Sequence, residues 1–196
     1  VGSSAVLDSD RRSRELTRAR ALRPLIDDVD HLLDIHSMQT PSPPLALAGL
    51  TAKGRDLARA VGAPTHVVID AGHAEGTRLR DYGDFSDPSS PRSALLVECG
   101  QHWRTSSRDV AIDVCRRFLA AFGALDGAAA AGIEAPTPAG PQRLIEVTAA
   151  VTIGAGGFAF AADYQGLEVV PAAGTVIGTN GKAEVRTPYD NCVIIM

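Results

Sequence analysis

The apolar positions of this chain alternate between helical spacing and short unbroken runs. In "SRELTRARALRPLI", 13–26, Leu16, Ala19, Leu22 and Ile26 recur as on one face of a helix, and Ser13 can cap its start. Pro24 falls inside that pattern and should end or kink the helix near Arg23. "HLLDIH", 31–36, reads as a short apolar strand that breaks into a Pro-rich loop. "AKGRDLARAVG", 52–62, predicts a second helix, with Gly62 where a C-terminal capping glycine belongs. "HVVIDA", 66–71, and "ALLVECG", 94–100, read as buried strands, separated by a loop over 72–93 rich in Gly, Pro, Ser and Asp. "SSRDVAIDVCRRFLAAFG", 106–123, is the clearest helix. Ser106 or Ser107 can cap it, Val110, Val114, Phe118 and Phe122 share a face, and Gly123 stops it.

Strands alternating with helices predict an α/β fold over 1–123, with a mostly parallel or mixed sheet and flanking helices. Residues 124–142 are small residues and Pro, the composition of a linker. From 143 to 196 the pattern changes to short β-rich runs separated by Gly-rich turns, a small all-β domain. Within it "TNGK", 179–182, is a strong hairpin signal.

Composition narrows the function classes. With 196 residues, 45% of them hydrophobic, the chain can bury a real core. A net charge of -4 and scattered Arg leave no basic stripe, so no nucleic-acid partner is expected. No apolar run approaches the ~20 residues of a membrane span, so no membrane partner is expected either. Cys99, Cys115 and Cys192 lack metal-ligand spacing and read as reduced thiols of a cytoplasmic protein. The chain starts at Val1 and stops on the apolar "CVIIM", so it is expected to be a piece of a longer one.

Parallel strands present reactive groups at their carboxyl ends. Here those groups are Asp34 and His36, Asp70 with His73 beyond it, and Glu98 with Cys99. Glu98 is the most informative, because an ionised carboxylate inside "LLVECG" needs either a structural ion partner or a catalytic reason to be there. A lone His at a strand end serves more often in a structural hydrogen bond than in a metal centre. Asp70 and His73 read as turn chemistry, and His66 and His102 as surface. Cys99 with His102 could form a thiol nucleophile, but residues so close in sequence rarely reach the required geometry.

Four segments together carry a resemblance. "LLDIHSMQTP" at 32–41 resembles the D-[LI]-H-[ST] segment of the succinylglutamate desuccinylase/aspartoacylase family, and "LLVECGQHW" at 95–103 its E-x-G segment. "ELTRARALRPLI" is similar to the helix before the histidine strand, and "RTPYDNCVIIM" at 186–196 to the family's C-terminal β-domain. The resemblance implies a zinc carboxypeptidase-like fold followed by a small β domain, and hydrolysis of an amide in an N-acyl amino acid. By the same resemblance His36 matches the third zinc ligand, Glu98 the catalytic glutamate, and Arg92 an arginine that holds the substrate carboxylate. The family's H-x-x-E motif, with the other zinc ligands, and an Asn-Arg pair are absent from this chain, the nearest spelling being His31-x-x-Asp34. One zinc ion per intact subunit is implied, with its remaining ligands upstream. A small acyl amino acid as substrate, a homo-oligomer, and the Pro-rich loop as one wall of the pocket are the further expectations. A zinc exopeptidase, or a non-catalytic binding or assembly protein, are the alternatives.

Overall fold

A computed structural model describes residues 4–72, 77–125 and 140–195. Helix α1 spans Ser4–Leu7 and α2 Arg14–Asp27, followed by strand β1, His31–Met38. Ser13 caps α2 as expected, its Oγ accepting from the Leu16 amide. Pro24 does not end the helix, which runs to Asp27. Proline removes one N–H, and the turn beyond it is held from outside. Arg92 donates to the Ile26 carbonyl at 2.6 Å and to that of Val29 at 2.8 Å, and Ile26 packs against Leu32, Phe85 and Ala94.

The segment after β1 is not loop throughout. Leu45–Leu47 forms a fully buried strand, β2, directly after Pro43 and Pro44. Three residues are too few to show a period, so tertiary pairing creates this strand. Helix α3, Ala52–Val61, ends at Gly62 with φ 70°, as the glycine predicts. Strand β3 is His66–Ile69 and β4 is Ser93–Gln101. Helix α4, Thr105–Ala121, starts without a side-chain cap. Ser107, expected as a cap, lies inside the first turn and donates instead to the Gln101 carbonyl at 2.7 Å.

Strand β5, Arg143–Glu146, joins β1–β4 in one five-stranded sheet of order β1-β4-β2-β3-β5. The pairs β1/β4, β2/β3 and β3/β5 are parallel and β2/β4 is antiparallel. The first β-rich run after 142 thus supplies the sheet's edge. The later strands, β6 (Phe158–Phe160), β7 (Glu168–Val170), β8 (Val176–Asn180), β9 (Ala183–Arg186) and β10 (Cys192–Ile194), make two small antiparallel sheets, β6-β8-β9 and β10-β7. The "TNGK" hairpin closes as expected, with Asn180 opposite Ala183 and Gly181 at φ 62°.

Strand alternation divides the core. Leu95, Val97 and Cys99 of β4 join Ala46 and Val67 under α3 and α4, with Leu57, Val61 and Val114. Leu96 faces the other way, with Leu45, Leu47 and Val68, and there Leu167 and Ile195 of the C-terminal β part pack on the sheet. Glu98 follows Leu96 by two residues and so shares this second face. Among the described residues no helix is long and apolar enough to cross a membrane.

Candidate functional site

The site is built at a slip in the β1–β4 ladder. His36 stands opposite Glu98, but two residues on Met38 stands opposite Gln101, so β4 carries one extra residue. Gly100 makes this possible. Its φ is +114°, and a Cβ there would lie 2.9 Å from Ser107 Oγ. The bulge ends regular pairing just beyond the two candidate side chains. The glycine within a strand pattern was the sequence signal for it.

His36 is held between two carboxylates. Its Nε2 is 3.1 Å from Asp34 Oδ1 and its Nδ1 3.8 Å from Glu98 Oε1. Asp34 is two residues back on the same strand face, as the period requires. The His36 side chain is 47% exposed and that of Glu98 13%. Glu98 Oε2 is buried and has no hydrogen-bond partner among the described residues. Burial pushes the Glu98 carboxyl above the ordinary glutamate range, while the nearby His36 and Arg78 pull it partly back. A carboxylate so placed suits proton transfer.

Asp34, His36 and Glu98 line a cavity of about 650 Å³. Its walls come from α1 and α2 and from the segment Thr77–Tyr82, not from the Pro-rich loop, which takes no part in the lining. Arg92 does not reach the cavity. Its guanidinium is engaged by the carbonyls at the end of α2, lies 4.8 Å from the Phe85 ring centroid, and pairs with Asp84 at 3.4 Å. Two other arginines line it, Arg23 of α2 and Arg78. Asp70 holds Arg78 through Oδ2 and Arg80 through Oδ1, the latter at 2.7 Å, and the Arg80 side chain is only 1% exposed. Asp70, read from the sequence as turn chemistry, is therefore the buried anchor of two arginines. Nothing local in "DAGHAEGTRLRD" distinguishes that role, because the partners meet only through the fold of the loop.

The remaining candidates separate. Cys99 is buried in the core on the opposite face, with burial pushing its thiol up to about 11, so it is no nucleophile. His102 shares a hydrogen bond of 2.6 Å with Ser37. His31 stacks on Phe122 with ring centroids 3.7 Å apart and bonds Ser93 Oγ at 2.9 Å, away from Asp34. His73 and Glu75 lie outside the described residues. Among the described residues no three His, Cys, Asp or Glu side chains are grouped as metal ligands, so His36 can fill one position of such a centre but the centre is not complete.

No family model and no curated protein matches the sequence. Solved structures do. The succinylglutamate desuccinylase of Vibrio parahaemolyticus is 18% identical with a TM-score of 0.65, over 96% of this chain and 57% of its own. That of Vibrio cholerae is 17% identical with a TM-score of 0.66, over 96% and 57%. The apo ectoine utilization protein EutE (DoeB) of Ruegeria pomeroyi is 16% identical with a TM-score of 0.58, over 95% and 66%. This chain thus spans roughly three fifths of the structures it matches, and across that span it has the fold of the succinylglutamate desuccinylase/aspartoacylase structures, a zinc carboxypeptidase-like sheet with a small β part.

Proposed function

We propose that the chain carries part of the active site of a zinc-dependent hydrolase that cleaves the amide of an N-acyl amino acid or a similar small amide. The observation that carries this is Glu98 opposite His36 at a β-bulge, lining one cavity with a buried carboxylate oxygen unpartnered among the described residues. The non-catalytic alternative, a structural ion pair, uses only Oε1, 3.8 Å from His36 Nδ1, and leaves Oε2 without a role. His36 would hold the zinc ion together with ligands outside this chain, and Asp34 on its other ring nitrogen would orient the imidazole. A zinc ion, when bound, polarises the scissile carbonyl. Glu98 takes a proton from the attacking water at its carboxylate and returns it to the leaving nitrogen. Burial favours its neutral form and so makes it a stronger base. Arg78, fixed by Asp70, supplies positive charge at the cavity wall.

The free cysteines agree with a cytoplasmic protein. Exposed Phe160, Val169 and Ile153 on the β part agree with an oligomer contact there. The test is hydrolysis of a panel of N-acyl amino acids and dipeptides by a protein that joins this chain to the missing ligands. Turnover of acyl amino acids supports the reading. Turnover of dipeptides alone moves it to an exopeptidase, and turnover of neither rejects it.

A further inference from the structure

The walls of the Glu98 cavity differ sharply in chemistry. Its polar side is Asp34, His36, Glu98 and Arg78. Its opposite wall is mostly aliphatic: Leu7, Ala19, Leu22 and Ile26 from α1 and α2, with Leu47, Leu79 and Leu96, interrupted by Arg23 and Tyr82. At about 650 Å³ it has the size of a cavity that encloses a ligand of many carbons.

Each arginine of that lining already has a carboxylate partner. Arg23 pairs with Asp8 at 2.5 Å and Asp27 at 3.5 Å. Arg78 pairs with Asp70. Asp34 and Glu98 add negative charge at the polar side. An acyl group ending in a second carboxylate would have to shed water against leucines, beside two carboxylates, with each arginine of the described lining already engaged. An alkyl chain meets no such penalty, and every methylene buried there is favourable.

We propose that the acyl group this site accepts is apolar, a linear or branched alkanoyl chain of several carbons rather than a dicarboxylic acyl group. This rests on reading the cavity as the substrate site of an amide hydrolase. The aliphatic wall holds the alkyl chain, and the scissile carbonyl then lies at the His36 and Glu98 side.

Calorimetric titration of the 196-residue chain with N-acetyl-, N-butyryl-, N-hexanoyl- and N-succinylglycine tests it without requiring turnover. Kd should fall about fourfold per added methylene from acetyl to hexanoyl. N-succinylglycine should bind more weakly than N-butyrylglycine, which carries a methyl in place of the terminal carboxylate. Leu22→Arg, with its fold checked by circular dichroism, places an additional cation on the wall and should reverse that last ranking. A length series that is flat, or a wild-type chain that prefers succinyl to butyryl, overturns the proposal, as does an unchanged ranking in Leu22→Arg. Hydrolysis of the same four amides is followed separately in the protein carrying all ligands. Absence of turnover there with the length series intact rejects the hydrolase reading alone, whereas turnover with a flat series rejects the apolar pocket alone.

Discussion

His36 and Glu98 face each other across the β1–β4 ladder, Nδ1 3.8 Å from Oε1, on the last regular register pair before the bulge. Glu98 belongs to a strand whose other face, Leu95, Val97 and Cys99, is sealed into the core, and β1 is held against it by unbroken parallel pairing from His31 to His36. Their backbones are therefore held firmly, while the side chains open into a cavity.

Replacing Glu98 by Gln in a protein carrying all ligands should preserve fold and zinc content and lower kcat by about 10²–10⁴-fold, because only the proton-transfer group is lost. Stability should respond in the opposite sense. Burial raises the Glu98 carboxyl, so its contribution to stability is complete below the ordinary glutamate range and declines as pH rises through the raised value. In the metal-free chain Glu98→Gln should therefore melt above wild type at pH 7, and the gap should close as pH falls below about 4. Thermal denaturation of both proteins across that range checks the sign.

His36→Ala should leave the sheet folded, since the side chain is half exposed, yet weaken zinc binding in the full protein by more than ~100-fold, beyond what loss of a supporting partner produces. The 196-residue chain alone should retain little zinc after dialysis against a weak chelator, because the described residues offer His36 without a complete ligand set. Near-stoichiometric metal would show that further ligands exist in this chain, with Asp70, His73 and Glu75 the first to replace.

Gly100→Ala strains a backbone at φ +114° and drives its Cβ to 2.9 Å from Ser107 Oγ. The loss should be about 1–3 kcal/mol, a fall of roughly 2–12 °C in Tm. Relaxation of the bulge should also displace Glu98, so turnover in the full protein should drop more than the stability change alone explains.

Arg92→Ala removes the donors that hold the Ile26 and Val29 carbonyls. A stability loss of about 1–3 kcal/mol is expected, with KM close to wild type. Arg78→Ala should show the reverse emphasis, with the larger change in KM. A rise in KM for Arg92→Ala equal to that of Arg78→Ala would restore Arg92 as the substrate arginine.

Local sequence determined a good deal here. Apolar periodicity located α2, α3 and α4, unbroken apolar runs located β1, β3 and β4, and an Asn-Gly pair located the β8–β9 turn, because each depends on backbone preferences and spacing within a few residues. Glu98 stands out locally as a carboxylate inside an apolar run, whereas His36 is singled out by resemblance, and the fold sets the two opposite each other. Tertiary structure decided the rest. It made a central strand of Leu45–Leu47, whose three residues carry no period, and extended α2 past Pro24 through contacts from a loop 66 residues away. It also chose between arginines. Arg92 and Arg78 look alike in sequence, and only the path of the 77–92 loop sends one to the end of α2 and the other, tethered by Asp70, to the cavity wall. A guanidinium reaches whatever carbonyl or carboxylate the fold brings near it, and that is set by non-local contacts no short stretch of sequence records.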